Sequence, residues 1–237
     1  SMATVPGTVM ALYASILAPL VPGAAGHLLA ASIMNVPAAL MLSRLMVPRG
    51  FEGGPDDAAM SFETESRASM DAVAQGTLEG LHLVATCIAM LIVVVSLVAL
   101  TNAIIALAAS PFGVTVTLQS ILGFVCAPLA WMIGIPWSEA GTAGALLGQK
   151  VVLNEFLAYL ELAKTPATEL SDRSRLILTY AMCSFANLGS LGILMGGLAT
   201  MVPDRRTEIA ELAPRSVLVG FLTTLLSGSI VGLISWG

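Results

Sequence analysis

Asp, Glu, Lys and Arg are missing from four long stretches of the chain, 1–43, 80–138, 176–203 and 216–237. All 25 charged residues fall between them, chiefly in 44–79, 161–175 and 204–215. A hydrocarbon core of about 30 Å takes about 20 helical residues to cross, so apolar stretches of this length predict membrane spans. The pattern places them at about 5–21, 28–47, 80–108, 176–201 and 214–236. The run 80–138 is too long for one helix. Ser110-Pro111-Phe112-Gly113 divides it, leaving 109–138 as a partial span or a helix in the interface. The segment 48–79 is expected to be a polar loop followed by an amphipathic interfacial helix. Gly53-Gly54-Pro55-Asp56-Asp57 supplies the loop, and Phe62, Met70 and Val73 are apolar positions among the charges that follow. Arginines are spread over three connections, so the excess of positive charge assigns no orientation.

Three apolar segments make poor continuous helices. The first, within 1–47, has Pro6-Gly7 at its start and Pro19 and Pro22 at its end. The second, 139–163, combines Gly141, Gly144 and Gly148 with Gln149-Lys150 and Asn154-Glu155, and reads as a re-entrant hairpin. The third, 176–201, contains Ser184-Phe185-Ala186-Asn187-Leu188-Gly189-Ser190. Unpaired backbone is tolerated at membrane depth only where it lines protein or a water path, and such broken helices typically carry the sites of secondary transporters. The plainer reading of the glycines is close helix packing.

Polar residues inside these segments carry the candidate chemistry. Glu155 lies in an otherwise apolar run. A carboxylate at membrane depth costs about 3 kcal/mol on insertion scales and marks an ion or substrate path by default. It can accept hydrogen bonds from sugar hydroxyls, carry a proton, or form a structural pair with Lys150 at i,i+5. Asn187 and Ser190, three residues apart and so on one helix face, suit a neutral, hydroxyl-rich ligand, with Phe185 as an apolar edge. The same pair also suits hydrogen bonding between helices. His27 and His82 each open a span and read as interfacial.

Composition narrows the class. Only 11% of the 237 residues are charged and 57% are hydrophobic, too little polar surface for a water-soluble fold. The net charge of −5, with no basic run, argues against a nucleic-acid partner. Cys87, Cys126 and Cys183 have no metal-ligand spacing and read as small core residues. Neither a nucleophile motif nor a phosphate-binding loop occurs, so hydrolase, metalloenzyme and ATP-driven readings lack support. The fold class expected is an all-α polytopic membrane protein. The start Ser1-Met2-Ala3-Thr4-Val5 has no basic n-region, which suggests a chain that begins inside a larger membrane domain.

Four blocks then bear a resemblance. The run from Gly148-Gln149-Lys150 through Asn154-Glu155-Phe156-Leu157-Ala158-Tyr159 resembles the G-x-K-x-x-x-N-E-F-x-A-Y signature of the concentrative nucleoside transporter family. Tyr180 to Ile193 is similar to that family's following broken helix, His27 to Leu40 to its H-L-L-x-A-S-x-M-x-x-P-A-A-L stretch, and Pro128 to Trp137 to a fourth block. The resemblance implies uptake of nucleosides driven by Na+ or H+, with no other cofactor. It implies a homotrimer in the complete protein, embedded in the lipid bilayer of a bacterial inner membrane, that works by alternating access. The fold implied is the C-terminal part of an inverted-repeat transporter, with a re-entrant hairpin and broken helices. Carried over by position, Glu155, with Asn154 beside it, would bind ribose hydroxyls. Asn187 and Ser190 would share that task and Phe185 would border the pocket. Thr8 and Val9 are the candidates for half of an ion site. The family's first hairpin, which reads the base, precedes the first broken helix and has no counterpart here, and Gly189 stands where serine is common. The alternative to a transporter is a membrane assembly subunit whose polar residues only hold helices together.

Overall fold

A computed structural model describes residues 2–48, 69–110, 116–202 and 205–235. Those residues form nine helices in chain order: α1 (Gly7–Leu17), α2 (Ala24–Met46), α3 (Ser69–Ala109), α4 (Leu118–Met132), α5 (Trp137–Val152), α6 (Glu155–Lys164), α7 (Asp172–Ala181), α8 (Leu188–Met201) and α9 (Arg206–Ile234). Among the described residues no strand occurs.

Local chemistry explains most helix starts. Pro6 precedes α1, where the fixed φ of proline suits a first turn. Thr117 and Ser120 form a reciprocal capping box at α4. Asn154, Ser171 and Asn187 cap α6, α7 and α8 through side-chain oxygens that accept from main-chain N–H groups. Such caps contribute about 1 kcal/mol each and, more to the point here, fix where a helix begins.

Several elements differ from the sequence expectation. The span expected at 28–47 begins at Ala24. The interfacial helix expected within 48–79 is not separate: from Ser69 the chain is already in α3, which runs unbroken through Glu79 into the apolar stretch. Nothing between 69 and 80 stops a helix, since charged residues such as Asp71 and Glu79 break hydrophobicity without breaking helical geometry. The proposed loop and Phe62 lie outside the described residues. The final span begins at Arg206 rather than 214, because Pro214 is accommodated inside α9. Between the expected limits of 109–138, α4 has 15 residues, and the 139–163 segment is two helices of 16 and 10 residues joined at Leu153-Asn154. At 1.5 Å per residue these reach roughly 15–24 Å, short of the hydrocarbon thickness. The 176–201 segment is α7, a non-helical stretch at 182–187, and α8.

The most extensive interhelical contact joins α4 to α5. It exists because Gly123 and Gly144 lack side chains: a Cβ on Gly144 would lie 2.5 Å from the Gly123 carbonyl oxygen. Further packing joins α7 and α2 to α9, α3 to α8, and α1 to α2 and α6. The core they enclose includes Tyr13, Leu17, Leu28, Leu147, Tyr159 and Leu178. Arg173 ties the end of α9 to the α4–α5 turn by donating to the carbonyls of Gly134, Gly232 and Ser235 at 2.6, 2.7 and 3.2 Å. Away from the core, Leu29, Ile33, Val36 and Leu40 form an exposed apolar stripe along α2. Among the described residues α2 and α9 are each long and apolar enough to cross a membrane.

Candidate functional site

Three interruptions of helix set up the site: the stretch before α1, the Leu153-Asn154 joint and the 182–187 stretch. Glu155 is the first residue of α6 and is 1% exposed. At a helix N-terminus a carboxylate is favoured by the unpaired N–H groups and the helix dipole. Its two oxygens are held separately. The Tyr13 hydroxyl on α1 donates to Oε1 at 2.7 Å, and the Asn187 amide donates to Oε2 at 2.9 Å. The Tyr13 ring is fixed in turn against Tyr159 and Phe156, with centroids 5.0 and 6.4 Å away, and the Tyr159 hydroxyl donates to the Thr179 carbonyl at 2.8 Å.

Asn187 does two jobs at once. Its Oδ1 accepts from the Ser190 N–H at 2.7 Å, capping α8, while its amide holds Glu155. Asn187 and Ser190 are therefore not neighbours on one helix face, as their spacing suggested: Asn187 has extended backbone outside the helix and the two meet through the cap. Ser190 is buried in the first turn of α8, and Phe185 is half-buried within the 182–187 stretch. Asn154 accepts from the Leu157 N–H through its Oδ1 at 2.9 Å, which positions the start of α6.

Lys150 is fully buried, and its ammonium takes its hydrogen bonds from groups other than Glu155 while still interacting with that carboxylate electrostatically. It donates to Ser184 Oγ at 3.0 Å and Thr224 Oγ1 at 3.3 Å and lies over the Phe221 ring at 5.2 Å from its centroid. Side chains five positions apart on either side of the α5–α6 joint thus grip both ends of the 184–187 turn: the cation holds Ser184 and the carboxylate holds Asn187.

Thr8 and Val9 lie on the first turn of α1, Thr8 exposed and Val9 half-buried, one to two turns before Tyr13 on the same helix. Among the described residues no group of three or more His, Cys, Asp and Glu side chains could hold a metal ion. His27 is not simply an interfacial residue: its Nδ1 is 2.9 Å from the Tyr180 hydroxyl, and the two rings meet edge to face. Tyr13, Ser184, Thr224 and Asn35 were not singled out from sequence. Tyr13 had one available signal, a hydroxyl-bearing ring inside a charge-free run, whereas the others look like ordinary helix-packing polar residues.

Chemically, the arrangement presents a buried carboxylate with about four acceptor positions, of which Tyr13, Asn187 and the main-chain N–H of Glu155 itself engage three. A hydroxyl donor on a neutral ligand suits the acceptor position that remains. Among the described residues no nucleophile–base pair accompanies it.

Comparison with known proteins agrees with this chemistry. Residues 27–232 match the family described as Na+ dependent nucleoside transporter C-terminus. An uncharacterized transporter of Haemophilus influenzae is 40% identical over 98% of this chain and 56% of its own length. The nucleoside permease NupC of Helicobacter pylori is 39% identical over 98% of this chain and 55% of its own length. Solute carrier family 28 member 3 of Homo sapiens is 31% identical, with 98% of this chain and 35% of that protein covered. Among solved structures, a substituted CNTnw in an outward-facing state superposes with a TM-score of 0.84 at 40% identity, covering 99% of this chain and 56% of that one. CNTnw in an inward-facing substrate-bound state superposes with 0.74 at 40% identity, covering 99% and 55%. The chain spans about half the length of the bacterial relatives it matches.

Proposed function

Because the chain belongs to the family of Na+-dependent nucleoside transporters, we propose that it supplies the ribose-binding part of a cation-coupled nucleoside symporter. That membership makes it an integral membrane protein, and its relatives are transporters and permeases rather than enzymes. The proposed setting is a bacterial inner membrane, in a homotrimer, with uptake driven by Na+.

The observation that carries the reading is the held but unsaturated carboxylate of Glu155. Its remaining acceptor position takes a ribose hydroxyl. Asn187 and Ser190 face the same sugar from the start of α8, and Phe185 closes the apolar side. Thr8 and Val9, on the helix that also carries Tyr13, form one wall of the cation site. Alternating access is supported by CNTnw, which has been described in both outward-facing and inward-facing states. The joint at 153–154 and the turn at 182–187 are the places where this chain can bend between such states.

The test is Glu155→Gln in the transporter carrying this chain. A hydrogen bond to a charged group contributes about 1.5–3 kcal/mol, so uptake of labelled uridine and adenosine should fall about 10- to 100-fold with membrane insertion intact. Normal concentrative uptake by the variant would remove Glu155 from the site. Running the wild type in sodium-free buffer, with and without a pH gradient, assigns the coupling ion.

A further inference from the structure

Asn35, in the middle of α2, is 0% exposed and its carboxamide is fully engaged. Its Nδ2 donates to the Ala3 carbonyl at 2.8 Å and to the Cys183 carbonyl at 2.9 Å, while its Oδ1 accepts from the Ser227 hydroxyl of α9 at 2.6 Å. The orientation of the amide is dictated by these partners, since both carbonyls can only accept.

What makes the arrangement unusual is where the two carbonyls lie. Ala3 belongs to the non-helical stretch that leads into α1, and so to Thr8, Val9 and Tyr13. Cys183 lies in the non-helical stretch between α7 and α8, which also carries Ser184, Phe185 and Asn187. Neither stretch has a complete helical hydrogen-bond ladder of its own, so its main chain is positioned by a few bonds such as these. One short, planar amide on a continuous helix therefore ties both interruptions together. If either carbonyl shifts by about 1 Å, the amide cannot follow it without losing the other, because hydrogen bonds weaken steeply with distance and angle. Ser227 fixes the third side of the amide and leaves it no rotation to spare.

We infer that Asn35 is the positioning residue that couples the cation half of the site to the nucleoside half. Ion binding that orders the stretch before α1 holds the Ala3 carbonyl in place. Through the shared amide this holds the Cys183 carbonyl, and with it the turn that presents Asn187 to Glu155 and the sugar. The coupling runs equally in the other direction, as linkage requires. The inference rests on the symporter reading proposed above.

The test measures uridine and adenosine dissociation constants in the purified transporter carrying this chain, in saturating Na+ and with choline replacing Na+. The wild type should bind nucleoside roughly tenfold or more tightly with Na+, within the usual range of coupling factors. In Asn35→Ala that ratio should fall at least fivefold, towards one. Asn35→Ser, whose single hydroxyl reaches at most one carbonyl, should lose coupling in the same way, and guards against a misfolded alanine variant. Ser227→Ala keeps both carbonyl bonds and should keep the ratio within about twofold while lowering the unfolding temperature, which separates coupling from plain stability. A wild-type ratio retained in both Asn35 variants overturns the inference and leaves the symporter reading standing. Wild-type binding indifferent to Na+ also overturns it. A wild type that binds neither nucleoside overturns the proposed function, and the inference with it.

Discussion

Tyr13 and Glu155 are 142 positions apart in the chain and 2.7 Å apart in space. A hydroxyl donated to a buried carboxylate fixes the carboxylate's direction as well as its charge, so Tyr13 is expected to matter for ligand geometry. Tyr13→Phe should weaken uridine binding about tenfold, the effect of losing a charge-assisted hydrogen bond, while leaving the ring packing on Tyr159 in place. Unchanged uridine affinity in a titration of the variant would reduce Tyr13 to a space-filling role. At this scale the sequence was informative wherever a polar residue stood alone in an apolar run, as Glu155 and Asn187 do. It was misleading wherever a role depended on who sits across the gap. Pairing with Glu155 was one of three roles the spacing left open for the charges here, and nothing in the spacing shows that the Lys150 ammonium also reaches Ser184 and Thr224, which lie 34 and 74 positions away. Asn35 and Ser227 give no sign in the sequence that they meet, since each has an ordinary small polar side chain on a separate helix.

Between α4 and α5 the backbones approach so closely that side-chain size alone decides the contact. Gly144 and Gly141, on the same helix α5, provide a matched pair for testing this. A methyl on Gly144 would lie 2.5 Å from the Gly123 carbonyl oxygen and 2.6 Å from the Ala127 nitrogen, whereas Gly141 has nothing within 4 Å of that position. Gly144→Ala should destabilise the protein by about 1–3 kcal/mol through overpacking. Gly141→Ala should stabilise it by about 0.4–1 kcal/mol, because alanine has less unfolded-chain entropy to lose. Opposite shifts in thermal unfolding midpoint are the expected result, and equal shifts would contradict the contact. Element positions were legible where charge vanishes, but the helix starts at Asn154 and Asn187 were not, since a cap cannot be told from a polar residue on a helix face by spacing alone. Nor were positions legible where a helix passes through charge, as α3 does at Asp71 and Glu79, or through proline, as α9 does at Pro214. Hydrophobicity records the solvent around a residue, whereas helix continuity depends on backbone hydrogen bonds that charged side chains leave intact.

As a whole, the molecule presents apolar side chains outward as well as inward. Leu29, Ile33, Val36 and Leu40 line one side of α2, and Leu81, Val84, Ile88 and Ile92 line a side of α3, all exposed. Such stripes are stable only against lipid or another apolar protein surface. Ile33→Lys, near the middle of α2, should cost about 2.5–3.5 kcal/mol of insertion free energy and visibly lower the inserted fraction of that helix in a translocon assay. Insertion equal to that of the wild type would place this face in a water-filled path. The architecture was legible as helical and membrane-embedded from charge distribution alone, because the bilayer imposes length and polarity on every span. The convergence of α1, α6 and α8 on one carboxylate was not, because periodicity describes each helix by itself.

The bare-backbone seam at Gly123 and Gly144 also has a kinematic consequence. Surfaces that interlock without side-chain cushioning cannot slide past one another, so α4 and α5 must travel as a single rigid block. Bending next to the block is then left to the joints at its margins. One of these is Leu153-Asn154, immediately before the Glu155 carboxylate, which makes the block a lever whose pivot lies beside that buried charge.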